Sequence, residues 1–281
     1  MLPVGQPRRR LRLSMTEAVA FDLDDTILRD DRTISPYTID VLRRAAATGV
    51  KISPASGRAR ESMKPYVEQI GRAVAYIACN GAEVYAPDHQ PLYTLQLSTE
   101  ESRMAAQFAA DHGCYAQVYA GDSFFYSMHS DYAAKYARSS RLHGVYVGDL
   151  VQYIARPTPT VLMMDDPARI ARLLEDGRRL FGDRLSLTCS KPHFLEVNPA
   201  RASKGNALRW LGEHLGFSME NVTAFGDSLN DLSMLTAAGH GVTVANARED
   251  VRALVPATCP SNQEDGVACY IEQHILQEVR A

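Results

Sequence analysis

A chain of 281 residues, 46% hydrophobic and 22% charged, has room for about two domains and needs no covalent staples. Its net charge of −3 offers no cationic footprint for nucleic acid, and no apolar stretch approaches the ~20 residues that span a bilayer. Five scattered cysteines, Cys79, Cys114, Cys189, Cys259 and Cys269, form no Cys-x-x-Cys pair. Neither a zinc site nor a disulfide framework is indicated, and reduced, packed thiols fit a cytoplasmic protein.

The N-terminus carries Arg8, Arg9, Arg10 and Arg12. The apolar run of a signal peptide does not follow, because Ser14-Met15-Thr16-Glu17 interrupts it. Residues 1–15 are read as a disordered basic tail, and the sequence leaves Met1 and Met15 as alternative starts of translation.

Ala18 to Phe21 reads as a buried strand that ends in Asp22, Asp24 and Asp25. So much like charge at a strand end asks for a counter-ion. Side chains at i and i+2 share a face of a strand, so Asp22 and Asp24 are expected to point into one pocket. Oxygen ligands with open positions for phosphate suit Mg²⁺. Ser35-Pro36 opens a helix, with serine as N-cap and proline at the first position, and Gly49 stops it. Val50 to Ala55 resumes as strand, so a β-α-β unit and a parallel sheet are expected. This strand ends in Ser56-Gly57-Arg58, on the same sheet edge as Asp22, where open α/β sheets bind ligands. A helix from Ala59 to Ile70, with Pro65 inside it, and a strand from Val74 to Cys79 follow.

From about Tyr85 the pattern changes. Hairpins at 84–97 and 114–128 alternate with helices, the first opened by the capping-box spacing Ser98-Thr99-Glu100-Glu101. Residues 133–142 and 167–181 read as helix, and 160–164, 185–190 and 194–197 as strand. The stretch 141–156 is the least legible. This mixture indicates an inserted α+β domain with a largely antiparallel sheet. The expected organisation is therefore a core of residues 16–84 and 194–281 interrupted by a cap of residues 85–193.

Ser203-Lys204-Gly205 opens the next helix. Backbone amides and a lysine in a first helical turn make an anion site. The strand Val222 to Phe225 stops at Gly226-Asp227-Ser228-Leu229-Asn230-Asp231, which places Asp227 at the ligand edge and Asp231 one turn later. Ser228 and Asp231 also have capping spacing, and Asn230 can both donate and accept. Gly241 to Ala245 reads as strand, 249–254 as helix, 262–267 as a turn, and a helix through Ile271 and Ile275 closes the chain.

Taken in order, Asp-x-Asp-x-Thr, the strand-end Ser-Gly-Arg, Ser-Lys-Gly and Gly-Asp-Ser-x-Asn-Asp resemble the motif series of the haloacid dehalogenase superfamily. Asn80-Gly81-Ala82, Glu196-Val197-x-Pro and Glu264-Asp265-Gly266-Val267-Ala268 are similar to its Cof-type branch. Asp25 and Ser56 stand where glycine and threonine are commoner. The resemblance implies a Rossmann-like, doubly wound parallel-sheet core with an inserted α+β cap. It also implies a Mg²⁺-dependent phosphatase acting on small phosphomonoesters, with sugar phosphates expected, through an aspartyl-phosphate.

On that resemblance Asp22 is the nucleophile and Asp24 the general acid and base. The Asp22 and Asp227 carboxylates and the Asp24 carbonyl hold Mg²⁺, with Ser228 beside them. Ser56, Gly57, Lys204, Asn230 and the Leu23 amide bind the phosphoryl oxygens, and Asp231 orients Lys204. A phosphosugar mutase and a non-enzymatic, receiver-like phosphate binder are the alternatives. A bisphosphate requirement would mark the first and a long-lived phosphoenzyme the second. Tyr126, His129 and His193 are cap residues that could line the substrate pocket.

Overall fold

In a computed structural model, residues 16–277 are described; the expected tail and both alternative starts lie outside them. In chain order the first core segment comprises β1 (Ala18–Phe21), α1 (Pro36–Ala47), β2 (Lys51–Pro54), α2 (Arg60–Ile70), β3 (Tyr76–Ala78), β4 (Glu83–Tyr85) and β5 (Pro91–Thr94). The cap elements are α3 (Thr99–Asp111), β6 (Tyr115–Ala120), β7 (Ser123–Tyr126), α4 (Asp131–Ser140), β8 (His143–Tyr146), α5 (Leu150–Tyr153), β9 (Val161–Met164), α6 (Pro167–Phe181), β10 (Leu185–Thr188) and β11 (Phe194–Pro199). The chain then returns through α7 (Lys204–Leu215), β12 (Val222–Gly226), α8 (Leu232–Ala237), β13 (His240–Val244), α9 (Glu249–Leu254), β14 (Thr258–Cys259) and α10 (Gly266–Tyr270), which runs on as a π-helical turn over Ile271–Leu276.

The core sheet has the order β14-β13-β12-β1-β2, and every neighbouring pair is parallel. β3 continues it beside β2 through the parallel bridge Ala55↔Ile77. Alternate residues of β1 go to opposite faces, as the pleat requires. Val19 and Phe21 pack against α1, α2 and the C-terminal helix, while Ala18 and Ala20 pack against α7, α8 and α9. The strand order reverses between β1 and β12, so the chain leaves a crevice at the carboxyl ends of these two strands.

The cap is a six-stranded sheet of order β10-β11-β9-β6-β7-β8, antiparallel except for β7 with β8. Val161 and Met163 of β9 pack under α3 and α6; Leu162 and Met164 pack with α4 and with Cys79 and Ala202 of the core. One face of the cap sheet therefore turns toward the crevice.

Strand pairing moves both expected edges of the cap. β4 and β5 pair with β3, and Val84 is packed among core residues, so the hairpin begun at Glu83 stays with the core. Phe194–Pro199, expected in the core, lies between β9 and β10 in the cap sheet. Local alternation marks a strand but not which sheet completes its hydrogen bonds. The stretch 141–156 resolves into the edge strand β8 and the single turn α5, whose N-cap Asp149 accepts from the Gln152 amide. The five cysteines are free, and all but Cys269 are buried. No described helix is long and apolar enough to cross a membrane.

Candidate active site

Asp22 is the first residue past β1, and its amide still donates to the Phe225 carbonyl (3.0 Å). Lys204, the first residue of α7, is fully buried. Its ammonium donates to Asp22 Oδ1 (2.5 Å) and Asp231 Oδ1 (2.6 Å). The second oxygen of Asp231 accepts from the amides of Asp227 (3.0 Å) and Ser228 (2.9 Å). Gly226 makes this possible, because a Cβ there would sit 2.5 Å from that of Asp231. Thr26 Oγ1 donates to Asp227 Oδ1 (2.8 Å). One oxygen each from Asp22, Asp227 and Asp231 fall within 4.8 Å of one another.

Three buried carboxylates thus face a single ammonium. Burial, with repulsion from Asp231 and Asp24, outweighs the attraction of Lys204 and raises Asp22 to about 8. Burial, with repulsion from Asp231 and Asp22, pushes Asp227 well up. Burial alone would lower Lys204, but Asp22 and Asp231 outweigh it and raise it. The cluster is short of positive charge. Asp231 has both oxygens engaged, whereas Asp22 and Asp227 each retain one that accepts from no donor among the described residues. An oxygen-only donor set of this kind fits a hard divalent cation.

Asp24 lines the same pocket but does not join this cluster. The strand geometry that would align it with Asp22 ends at Phe21, and the chain turns. Arg58 instead holds Asp24 through two bonds, Nε to Oδ2 (2.7 Å) and Nη2 to Oδ1 (2.8 Å). Lys191 of the cap stands 3.7 Å from Asp24 Oδ1. Burial alone would raise Asp24; Arg58, then Lys191 and Arg32, lower it to about 2. Arg58 also donates to the Ser139 carbonyl at the end of α4 (3.2 Å), so it ties Asp24 to the cap.

The anion-binding candidates meet at the neighbouring strand ends. Ser56 and Gly57 follow β2, and Asn230 follows β12; all three line the pocket with Asp22. Asn80 joins them. Its amide donates to the Ser56 carbonyl (3.0 Å), and its Oδ1 accepts from Asn230 Nδ2 (2.9 Å). Its own Nδ2 is buried without a partner among the described residues. Cys79, Asn80 and Gly81 all have positive φ, and a Cβ on Gly81 would strike the Ser203 carbonyl at 2.1 Å. The Leu23 amide donates to no acceptor among the described residues. Ser228 Oγ donates to the Ser190 carbonyl of the cap (3.2 Å).

The cap closes the pocket with Tyr119, Tyr136, Thr160, Ser190 and Lys191, which sequence reasoning did not single out, and with Glu196, which it named only within a family motif. Glu196 is buried and accepts from the amide and hydroxyl of Ser190. Burial, only partly offset by those bonds, raises it to about 7. Period two places Glu196 opposite Leu195 and Val197, which pack in the cap core; that was the available signal. Tyr126 and His129 do not line the pocket that holds Asp22. They pack on one another and on Tyr146. His193 lines an adjoining cleft.

A sequence profile described as haloacid dehalogenase-like hydrolase matches residues 19–271. The pyridoxal phosphate phosphatase YbhA of Escherichia coli is 28% identical over 93% of this chain and 99% of its own. The 5-amino-6-(5-phospho-D-ribitylamino)uracil phosphatase YitU of Bacillus subtilis is 28% identical over 91% of this chain and 96% of its own. A haloacid dehalogenase-like hydrolase from Bacteroides thetaiotaomicron, known from its crystal structure, superposes with a TM-score of 0.81 at 26% identity, covering 92% of this chain and 98% of that one. Profile match, fold and crevice agree: the chain belongs to the haloacid dehalogenase-like hydrolases, in their Cof-type branch.

Proposed function

We propose that this hydrolase is a Mg²⁺-dependent phosphatase of small phosphomonoesters, sugar phosphates foremost, working through an aspartyl-phosphate on Asp22. The observation that carries the reading is the buried Lys204 ammonium bonded at once to Asp22 and Asp231 at the carboxyl edge of the sheet. Asp22, Asp227 and the Asp24 carbonyl would hold the cation, with Ser228 beside them. When bound it supplies positive charge to the equatorial phosphoryl oxygens and to the Asp22 carboxylate. Asp231, with both oxygens engaged, keeps Lys204 in place.

Lys204, Ser56, Asn230 and the amides of Leu23 and Gly57 grip the phosphoryl group. A free oxygen of Asp22 attacks phosphorus in line, and the ester P–O bond breaks. Asp24 protonates the departing oxygen, then takes a proton from the water that cleaves the aspartyl-phosphate. Phosphate leaves and Asp22 is regenerated. Asp24 is ionised while Arg58 holds it, so it must exchange Arg58 for the ester oxygen before it can donate. The cap contributes Glu196, Thr160, Tyr119 and Tyr136 around the leaving group. Acceptors and hydroxyls of this kind suit a polyhydroxylated alcohol, as does a relative's phosphoribityl substrate.

The test is a screen of phosphorylated metabolites with Mg²⁺, comparing the native protein with Asp22→Asn. Phosphate release by the native protein alone is expected; equal release by both would overturn the assignment. A phosphosugar mutase would instead need a bisphosphate activator and return an isomerised sugar phosphate.

A further inference from the structure

We propose that the cleft between α4 and the loop after β1 is a second anion subsite. The preferred substrate then carries another phosphate or a carboxylate remote from the phosphoryl group that is hydrolysed. This rests on the phosphatase reading above and narrows its substrate class.

The cleft encloses about 710 Å³ and is continuous with the reaction pocket, since Arg32, Tyr136, Ser139 and Phe194 line both. A molecule with its phosphoryl group at Asp22 therefore has a path for its far end into this space. Arg32 comes from the core, Lys135 and Arg138 from α4, and His193 from the turn between β10 and β11. The walls thus belong to both halves of the protein.

Charge is the second observation. Arg32, Lys135 and Arg138 donate no side-chain hydrogen bond and form no ion pair among the described residues. Lys135 and Arg138 lie three apart on one helix, where like charges repel. Lys191, beside them, is only loosely paired, at 3.7 Å from Asp24 and 3.9 Å from Asp25. His193 is held below its ordinary value, first by burial and then by Lys191 and Lys135. The opposing acids are few. Asp165 is committed to Arg169 (3.1 Å) and to the Asp166 amide (2.8 Å), which leaves Asp166 as the one unpaired acid of the wall. In a chain of net charge −3, this is a local excess of cations, of which Lys191 and Arg32 are only partly met by Asp24. A bound anion would relieve their repulsion and let His193 donate from either nitrogen.

A general steering field would act on every phosphomonoester alike; a subsite acts only on substrates with a second anion. The experiment compares the native protein with Lys135→Gln/Arg138→Gln. The substrates are p-nitrophenyl phosphate and two matched pairs: fructose 6-phosphate with fructose 1,6-bisphosphate, and glycerol 3-phosphate with 3-phosphoglycerate. The expected result is a fall of about tenfold or more in kcat/KM for a doubly anionic member, with p-nitrophenyl phosphate changed by less than about twofold. Which pair responds distinguishes a phosphate from a carboxylate.

An equal fall for all substrates, or no fall for any, overturns the subsite. In parallel, fructose 1,6-bisphosphate and 3-phosphoglycerate are titrated calorimetrically into the Asp22→Asn protein with and without the two glutamines. Weakening of about tenfold supports the proposal, and unchanged or absent binding of both overturns it. That measurement needs no turnover, so a protein that binds a doubly charged ligand through Lys135 and Arg138 but hydrolyses nothing would refute the phosphatase reading alone.

Discussion

Lys204 and Asp22 stand 182 positions apart in the chain, and the ammonium of one lies 2.5 Å from a carboxylate oxygen of the other. The contact joins the first residue after β1 to the first residue of α7. Through Asp231 it also reaches the end of β12. A buried charge so placed is stabilising only while its partners remain, which makes the site testable by removing one member at a time.

Replacing Lys204 with methionine keeps the length of the side chain and removes the only cation among the described residues bonded to Asp22 and Asp231. The fold is expected to lose about 3–5 kcal/mol, because buried carboxylates are left uncompensated. Urea unfolding of Lys204→Met at pH 7 measures this. A loss below about 1 kcal/mol would mean that the carboxylates are solvated rather than buried against Lys204.

Asp22→Asn is expected to stay folded and to lose more than about 10³-fold in kcat. Burial and the like charges of Asp231 and Asp24 raise Asp22, so removing its charge while keeping its size leaves the fold intact. Circular dichroism and phosphate release distinguish a lost nucleophile from a lost fold.

Mg²⁺ is expected to raise the Tm, by the equivalent of about 2.7 kcal/mol at a hundredfold excess over Kd. Because Asp22 and Asp227 are raised, protons compete with the cation. Binding should release protons and strengthen as pH rises from 6 toward 8. Asp227→Asn should abolish the shift. A Tm gain that is flat with pH, or that survives in this variant, would place the cation elsewhere.

Asn80 is a positioning residue: it ties the Ser56 carbonyl to the Asn230 amide and lies in the left-handed region at φ 55°. Both Asn80→Ala and Asn80→Gly should weaken inhibition by inorganic phosphate by about five- to tenfold. Alanine should cost about 1 kcal/mol more stability than glycine, since only glycine accepts that φ freely. Phosphate inhibition constants and urea midpoints give the two answers independently; equal stabilities would deny the strain.

Burial pushes Glu196 up from an ordinary 4.5 to about 7 in the folded protein. Below 4.5 both folded and unfolded states are protonated. As pH rises from 4.5 through 7 the unfolded chain ionises first, so folding stability falls, by about 3 kcal/mol across the window. Glu196→Gln cannot ionise and should remove that slope. Urea unfolding at pH 5 and pH 8 measures it, and a slope retained in the glutamine protein would assign it to another group.

The motif residues were legible because each sits at the end of a short apolar run, where strand, turn and helix start are written in adjacent residues. Ser203 and Ser98 cap the helices expected of them. The capping pair Ser228 and Asp231 is real, but the same Asp231 also bonds Lys204, and no local spacing reveals that double use. The cap was harder to read. Its strands alternate as expected, yet β11 looked like part of the core because its partners, β9 and β10, are chosen by pairing across the sheet.

What the sequence determined by itself was the parallel core, the inserted cap and the set of acids, hydroxyls and one lysine available at the strand ends, because strand periodicity and helix capping are local. Only the tertiary structure decided how they pair. It turned Asp24 away from Asp22 onto Arg58, set Glu196 rather than His129 beside the pocket, and gathered Arg32, Lys135, Arg138 and His193 around one cleft. Charge pairing and burial depend on distance in space, and distance in space is settled by how two sheets and their helices pack.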